Sequence, residues 1–91
     1  MRAFLDFQEI KKLSKIANKI CKNLKIKPTG IFLSINEVII FSIFSNNNVE
    51  KTLKENSFLL IEERKRENYI SKVYKKENKE DIEVFLILFT S

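Results

Sequence analysis

Apolar residues recur with helical spacing near the start of the chain. Ile10, Leu13, Ile16, Ala17, Ile20, Cys21 and Leu24 fall at i, i+3, i+6, i+7, i+10, i+11 and i+14, which places them on one stripe of a helix. The spacing predicts a helix over Gln8–Asn23. Asp6 is positioned to cap its start, and Pro28 bars any long extension past its end.

Elsewhere the pattern is that of strands. Arg2–Phe7 reads as a first strand with apolar residues on both sides, and Leu24–Pro28 as a half-buried strand in which Leu24 and Ile26 alternate with Lys25 and Lys27. Pro28-Thr29-Gly30 signals a turn. Ile31–Ile35 is the next strand, Asn36-Glu37 a turn, and Val38–Phe44 a β-branched and aromatic strand. Ser45–Asn48 is a polar loop, and Val49–Ser57 a short helix or irregular segment. Phe58–Ile61 is apolar, Glu62–Asn68 an almost wholly charged run expected as a solvated loop, and Tyr69–Tyr74 alternates again. Lys75–Asp81 is a solvated loop. Ile82–Phe89 is apolar on both sides, which suits either a central strand or an edge that awaits another chain. Consecutive short strands with one long helix predict an α+β fold, in which the amphipathic helix covers a mainly antiparallel sheet.

Composition narrows the class. Ninety-one residues make one domain, and 44% apolar residues suffice for a core. A single cysteine, Cys21, excludes an internal disulfide, and the lack of histidine removes the commonest general base and metal ligand. The apolar runs are strand-sized, well short of the roughly 20 residues of a membrane span, and the N-terminus lacks a signal-peptide pattern. The expectation is an intracellular protein of cytoplasm or nucleus, not a secreted one.

Charge is distributed unevenly. Residues 1–28 hold eight basic groups against two acidic ones, a net of +6, and the remaining residues hold nine against ten, a net of −1. At about 100° per residue, with Lys11 at zero, Lys22, Lys15, Lys19 and Lys12 fall near 20°, 40°, 80° and 100°. The apolar stripe occupies the arc from about 140° to 280°. Solvated helix faces usually mix signs, because like-charged i,i+4 neighbours repel. Here Lys11–Lys15, Lys12–Lys15, Lys15–Lys19 and Lys19–Lys22 are all like-charged, and Glu9 alone offers relief. Such a face suits phosphates, whose neutralisation releases counterions and reads no base. Without aromatic residues interleaved on it, duplex backbone is a more natural partner than stacked single strands. The plainer reading is a solvated face whose lysines reflect a Lys-, Asn- and Ile-rich composition.

Candidate chemistry is sparse. Cys21 lies on the apolar stripe with no histidine to activate it, and reads as a structural thiol. Glu80, Asp81 and Glu83 lack the glycine-bearing loop of a calcium site. No glycine-rich phosphate loop exists. No catalytic residue, cofactor, metal or small-molecule substrate is expected.

The run Leu24-Lys-Ile-Lys-Pro-Thr-Gly-Ile-Phe-Leu-Ser-Ile35, preceded by a short strand and an amphipathic helix, resembles the opening of sliding-clamp domains of the proliferating-cell-nuclear-antigen type. It is most similar to the Hus-family subunit of the DNA-damage checkpoint clamp. Asn68-Tyr69-Ile70 and Asn78–Phe89 resemble that subunit's strand pair around a polar loop. The resemblance implies a sheet as outer wall and a helix that presents Lys11, Lys12, Lys15, Lys19 and Lys22 to duplex DNA in a central hole. It also implies other clamp-like subunits as partners and a nuclear role in DNA damage response, repair or replication. The chain stops where the family's second helix is expected and is read as one clamp-like domain over 1–91, without that helix or a second domain. Arg2–Phe7 and Ile82–Phe89 are then the edges through which partners would close a ring. The alternative is a small structural or protein-interaction domain with no nucleic-acid role.

Overall fold

A computed structural model describes residues 6–43, 49–76 and 82–90. The order is α1 (Phe7–Leu24), β1 (Pro28–Ser34), β2 (Glu37–Ile43), α2 (Val49–Glu55), β3 (Phe58–Lys65), β4 (Ile70–Lys76) and β5 (Glu83–Thr90). The expected α+β architecture is present, with a long helix packed on a mostly antiparallel sheet.

Capping decides where α1 starts and stops. Asp6 has extended backbone, and its Oδ1 accepts the Glu9 N–H at 2.8 Å. Phe7 therefore opens the helix rather than closing a strand, and residues 2–5 of the expected first strand lie outside the described residues. At the other end Lys25 adopts left-handed backbone with φ 56°. Its N–H reaches the Lys22 carbonyl, and the Ile26 N–H reaches the Cys21 carbonyl at 3.1 Å. This pair of bonds is a Schellman motif, and half-buried Ile26 packs back on the core as that motif favours. The expected strand over Leu24–Pro28 is thereby overturned: Leu24 ends the helix, and strand structure begins only at Pro28.

The sheet order is β1-β2-β5-β4-β3. β1–β2, β5–β4 and β4–β3 are antiparallel, while β2 and β5 run parallel from Glu37↔Glu83 to Ile43↔Phe89. β5 is thus the central strand, bonded on both sides. This explains its two apolar faces and removes it as a free edge; the edges among the described strands are β1 and β3. The β1–β2 turn is Ile35-Asn36, with Asn36 at φ 59°, and its carbonyl accepts the Glu83 N–H at 2.9 Å. Gly30 is not in a turn. It sits inside β1 beside a bulge, with no positive φ and open space where a Cβ would be.

One open reading is decided and one further expectation changes. Val49–Glu55 is helical, anchored by fully buried Leu53. Of the charged run, Glu62–Lys65 extend β3 instead of forming a loop, because ladder bonds to β4 outweigh local preference. An edge strand exposed along nearly its whole length tolerates charge at no desolvation cost. Ser45–Asn48 and most of the Lys75–Asp81 loop lie outside the described residues; Lys75 and Lys76 belong to β4.

Alternation along the strands sorts the sheet into two faces. Val38 and Ile40 of β2, Val84, Leu86 and Leu88 of β5, and Tyr74 of β4 are buried against α1 and α2. There they meet Leu13, Ala17, Ile20, Cys21 and Leu24 from α1, Leu53 from α2, and Phe58 from the start of β3. Ser42 is the buried polar residue of this face, and its hydroxyl donates to the Lys27 carbonyl at 2.8 Å. The opposite face carries Phe32, Ile39, Phe41, Val73, Phe85, Ile87 and Phe89, and no described helix covers it.

Candidate nucleic-acid interface

The stripe that the sequence predicts for α1 does face the sheet. Its buried members, Leu13, Ala17, Ile20, Cys21 and Leu24, span about 180° to 280° on the wheel used above. Ile16 is half-buried. Ile10, in the first turn of α1, is 41% exposed. Lys11, Lys12, Lys15, Lys19 and Lys22 are all exposed. The structure brings the five to one side of one helix, opposite the core.

Their electrostatic surroundings differ from those of Lys72 and Lys75 on the sheet. Lys72 pairs with Glu50 at 2.6 Å and Glu63 at 3.9 Å, and Lys75 pairs with Glu83 at 3.8 Å. The Lys72 ammonium, as a hydrogen-bond donor and a charge, holds the Glu50 carboxyl below its ordinary value; the same hydrogen bond raises Lys72. Among the described residues, no such pair forms on the five α1 lysines. A cationic surface without a counter-charge among the described residues costs repulsion in the free protein and gains most from an external polyanion.

Phe7 is an addition that the sequence reading missed by placing it in a strand. It is 73% exposed at the first turn of α1, and the Lys11 ammonium lies 5.5 Å from its ring centroid. One aromatic residue thus stands at the end of the lysine face. The signal in the sequence was Asp6: once it is taken as the cap, Phe7 becomes the first helical residue. A shallow cleft of about 440 Å³ lies here, lined by Phe7, Gln8, Lys11, Lys12 and Lys15. α2, on the same side of the sheet, adds exposed Lys51 and Lys54 beside exposed Glu50 and Glu55.

The other candidate groups behave differently. Cys21 is buried, and burial pushes its thiol up, so the reactive thiolate is disfavoured. Glu83 is exposed and paired with Lys75, while Glu80 and Asp81 lie outside the described residues. Among the described residues, no three His, Cys, Asp or Glu side chains are grouped to hold a metal ion. No helix among them is long and apolar enough to cross a membrane. Compared with known proteins, the chain matches no protein-family model, no curated protein and no solved structure.

Proposed function

We propose that this chain is a non-enzymatic subunit that holds duplex DNA by its phosphates through α1, as the sliding-clamp resemblance implies. The observation that supports the reading is the exposure of five lysines on one side of α1, without a carboxylate partner among the described residues. α1 is rigidly based: a capped helix with its reverse packed on a sheet presents charge in fixed register, which suits a repeating backbone. Lys11 to Lys22 span about 16 Å of helix axis at 1.5 Å per residue. Duplex DNA carries a charge about every 1.7 Å, so up to five contacts are sterically reasonable. Among the described strands, the edges open to a ring with other clamp-like subunits are β1 and β3, since β5 is interior.

The test is a salt titration of binding to a short random-sequence duplex, read by fluorescence anisotropy. With about five phosphates neutralised, the log–log slope approaches −4.5, and affinity falls about 500-fold between about 50 and 200 mM salt. Replacing Lys15 and Lys19 together by Glu flattens the slope by about 1.8, and scrambling the duplex sequence changes nothing. A double variant that binds with the parent's affinity and slope removes α1 from the interface.

A second reading, a protein-interaction domain without a nucleic-acid role, is favoured by the apolar face of the sheet that no described helix covers. Parent protein that shows no duplex binding at low salt, with that face intact, selects it.

A further inference from the structure

The face of the sheet that no described helix covers is the largest feature that duplex binding by α1 leaves unused. An aromatic ladder crosses it: Phe32 and Phe41 are edge-on at 5.5 Å, Phe41 and Phe89 stack at 6.3 Å, and Phe89 meets Tyr69 edge-on at 6.0 Å. Ile39 and Ile87 fill between the rings on β2 and β5. Phe32 is 63% exposed and Ile43, at the end of β2, 71% exposed. Antiparallel sheets with one solvated face normally alternate to polar residues on that side, and here the central strands do not. Exposed apolar patches beyond a few hundred Å² mark interaction sites.

We propose that this face pairs with the same face of a second copy of the chain. Area is the first argument. Five strands about 4.8 Å apart, each about 24 Å long, give a planar footprint near 580 Å² per copy. A ruffled surface of that footprint buries about 1,200 Å² or more over two copies, which enters the range of specific interfaces.

Charge is the second argument. The charged groups on this face are Arg64, Arg66 and Lys75 against Glu37, Glu62 and Glu83. Lys75 is held by Glu83, and Arg64 by Glu62. A balanced rim accepts its own copy through a two-fold axis. Its three cations are matched by three carboxylates, so it offers no net positive charge to the phosphates of a single strand stacked on the rings. Geometry is the third argument. Sheets pack about 10 Å apart, so the strongly cationic α1 helices stand on opposite outer surfaces, about 30 Å from each other and beyond the Debye length at physiological salt. Among the described residues, no other broad face lets two copies meet with so little like-charge repulsion. This contact is distinct from the edge-to-edge closure of a ring and is independent of whether α1 holds DNA.

Sedimentation equilibrium of the full chain over micromolar to submillimolar concentration tests the proposal. The expected result is a reversible dimer. Phe32→Glu, which enters a two-fold interface twice, weakens it at least tenfold, and Ile43→Glu does the same. Both variants should keep the parent's circular dichroism, because both positions are exposed. Lys15→Glu/Lys19→Glu should leave the dimer unchanged. A parent that stays monomeric throughout overturns the proposal, as does a dimer indifferent to both face variants. A monomeric parent that binds an oligothymidylate probe, and loses it on Phe32→Glu, assigns the face to bases and also overturns it.

Discussion

Lys15→Glu should stabilise the free protein while it weakens duplex binding, and the opposed signs make this the most informative single substitution. Lys15 sits four residues from both Lys11 and Lys19 and three from Lys12, on a continuous and exposed stretch of α1. Each like-charged neighbour at these spacings costs about 0.2–0.5 kcal/mol, and an opposite pair gains a similar amount. Reversing one charge therefore swings each of three contacts by about 0.4–1 kcal/mol at low ionic strength. Lys11 would then precede the new carboxylate, which is the weaker orientation, and the three pairs would share that one carboxylate. A net gain of about 1 kcal/mol is therefore the reasonable figure. For a domain of this size, that raises Tm by about 4–8 °C. Lys15 is mid-helix, so the macrodipole adds little. The assay is thermal denaturation followed by circular dichroism at about 10 mM and about 1 M salt, where the Debye length drops from about 30 to about 3 Å. The gain should shrink strongly at high salt. In parallel, duplex affinity at low salt should fall and its salt slope flatten by about 0.9. A low-salt Tm that is unchanged or lowered would refute the reasoning, because the α1 lysines would then not be repelling one another and no external anion would be needed to relieve them.

Other outcomes follow from particular contacts. Leu53→Ala should cost about 2–5 kcal/mol in chemical denaturation, because Leu53 is fully buried and is the one buried side chain that seats α2. Ser42→Ala should cost about 1 kcal/mol by the same measurement, through loss of the hydroxyl bond to the Lys27 carbonyl that ties the α1–β1 connection to β2. Lys25→Gly should stabilise by up to about 1 kcal/mol, since glycine carries no penalty in the left-handed conformation that Lys25 adopts at φ 56°. Glu50 has a folded-state pKa below its ordinary value of 4.5 because of Lys72. Its contribution is therefore complete above the unfolded value and is lost as pH falls through the depressed one. Glu50→Gln should flatten that acid limb of the stability profile and leave the neutral-to-alkaline part parallel to the parent.

Local chemistry was readable from the residues themselves. The helical stripe, the Asp6 cap and the confinement of five lysines to one quarter of the wheel depend only on spacings within a few turns of chain. They are written in residues 6–24 whatever the rest of the molecule does. The strand that begins near Val38 was legible in the same way, from its β-branched and aromatic residues. Where the reading failed, a non-local partner or a rare backbone state had decided the matter. Lys25 turns left-handed without glycine because the Schellman bonds and the burial of Ile26 hold it there, and composition gives no sign of that. Glu62–Lys65 become strand because β4 lies alongside them.

The largest divergence is at β5. Two apolar faces suit a strand buried in a sheet and a strand that waits at an edge equally well. Only the order β1-β2-β5-β4-β3, with its parallel β2–β5 pair, placed it at the centre. The same placement turns Phe41 and Phe89, far apart in the chain, into one aromatic surface. Periodicity records which side of an element is apolar; which neighbour covers that side, or whether any does, is settled by strand order, because pairing energy between distant segments leaves no trace in local spacing.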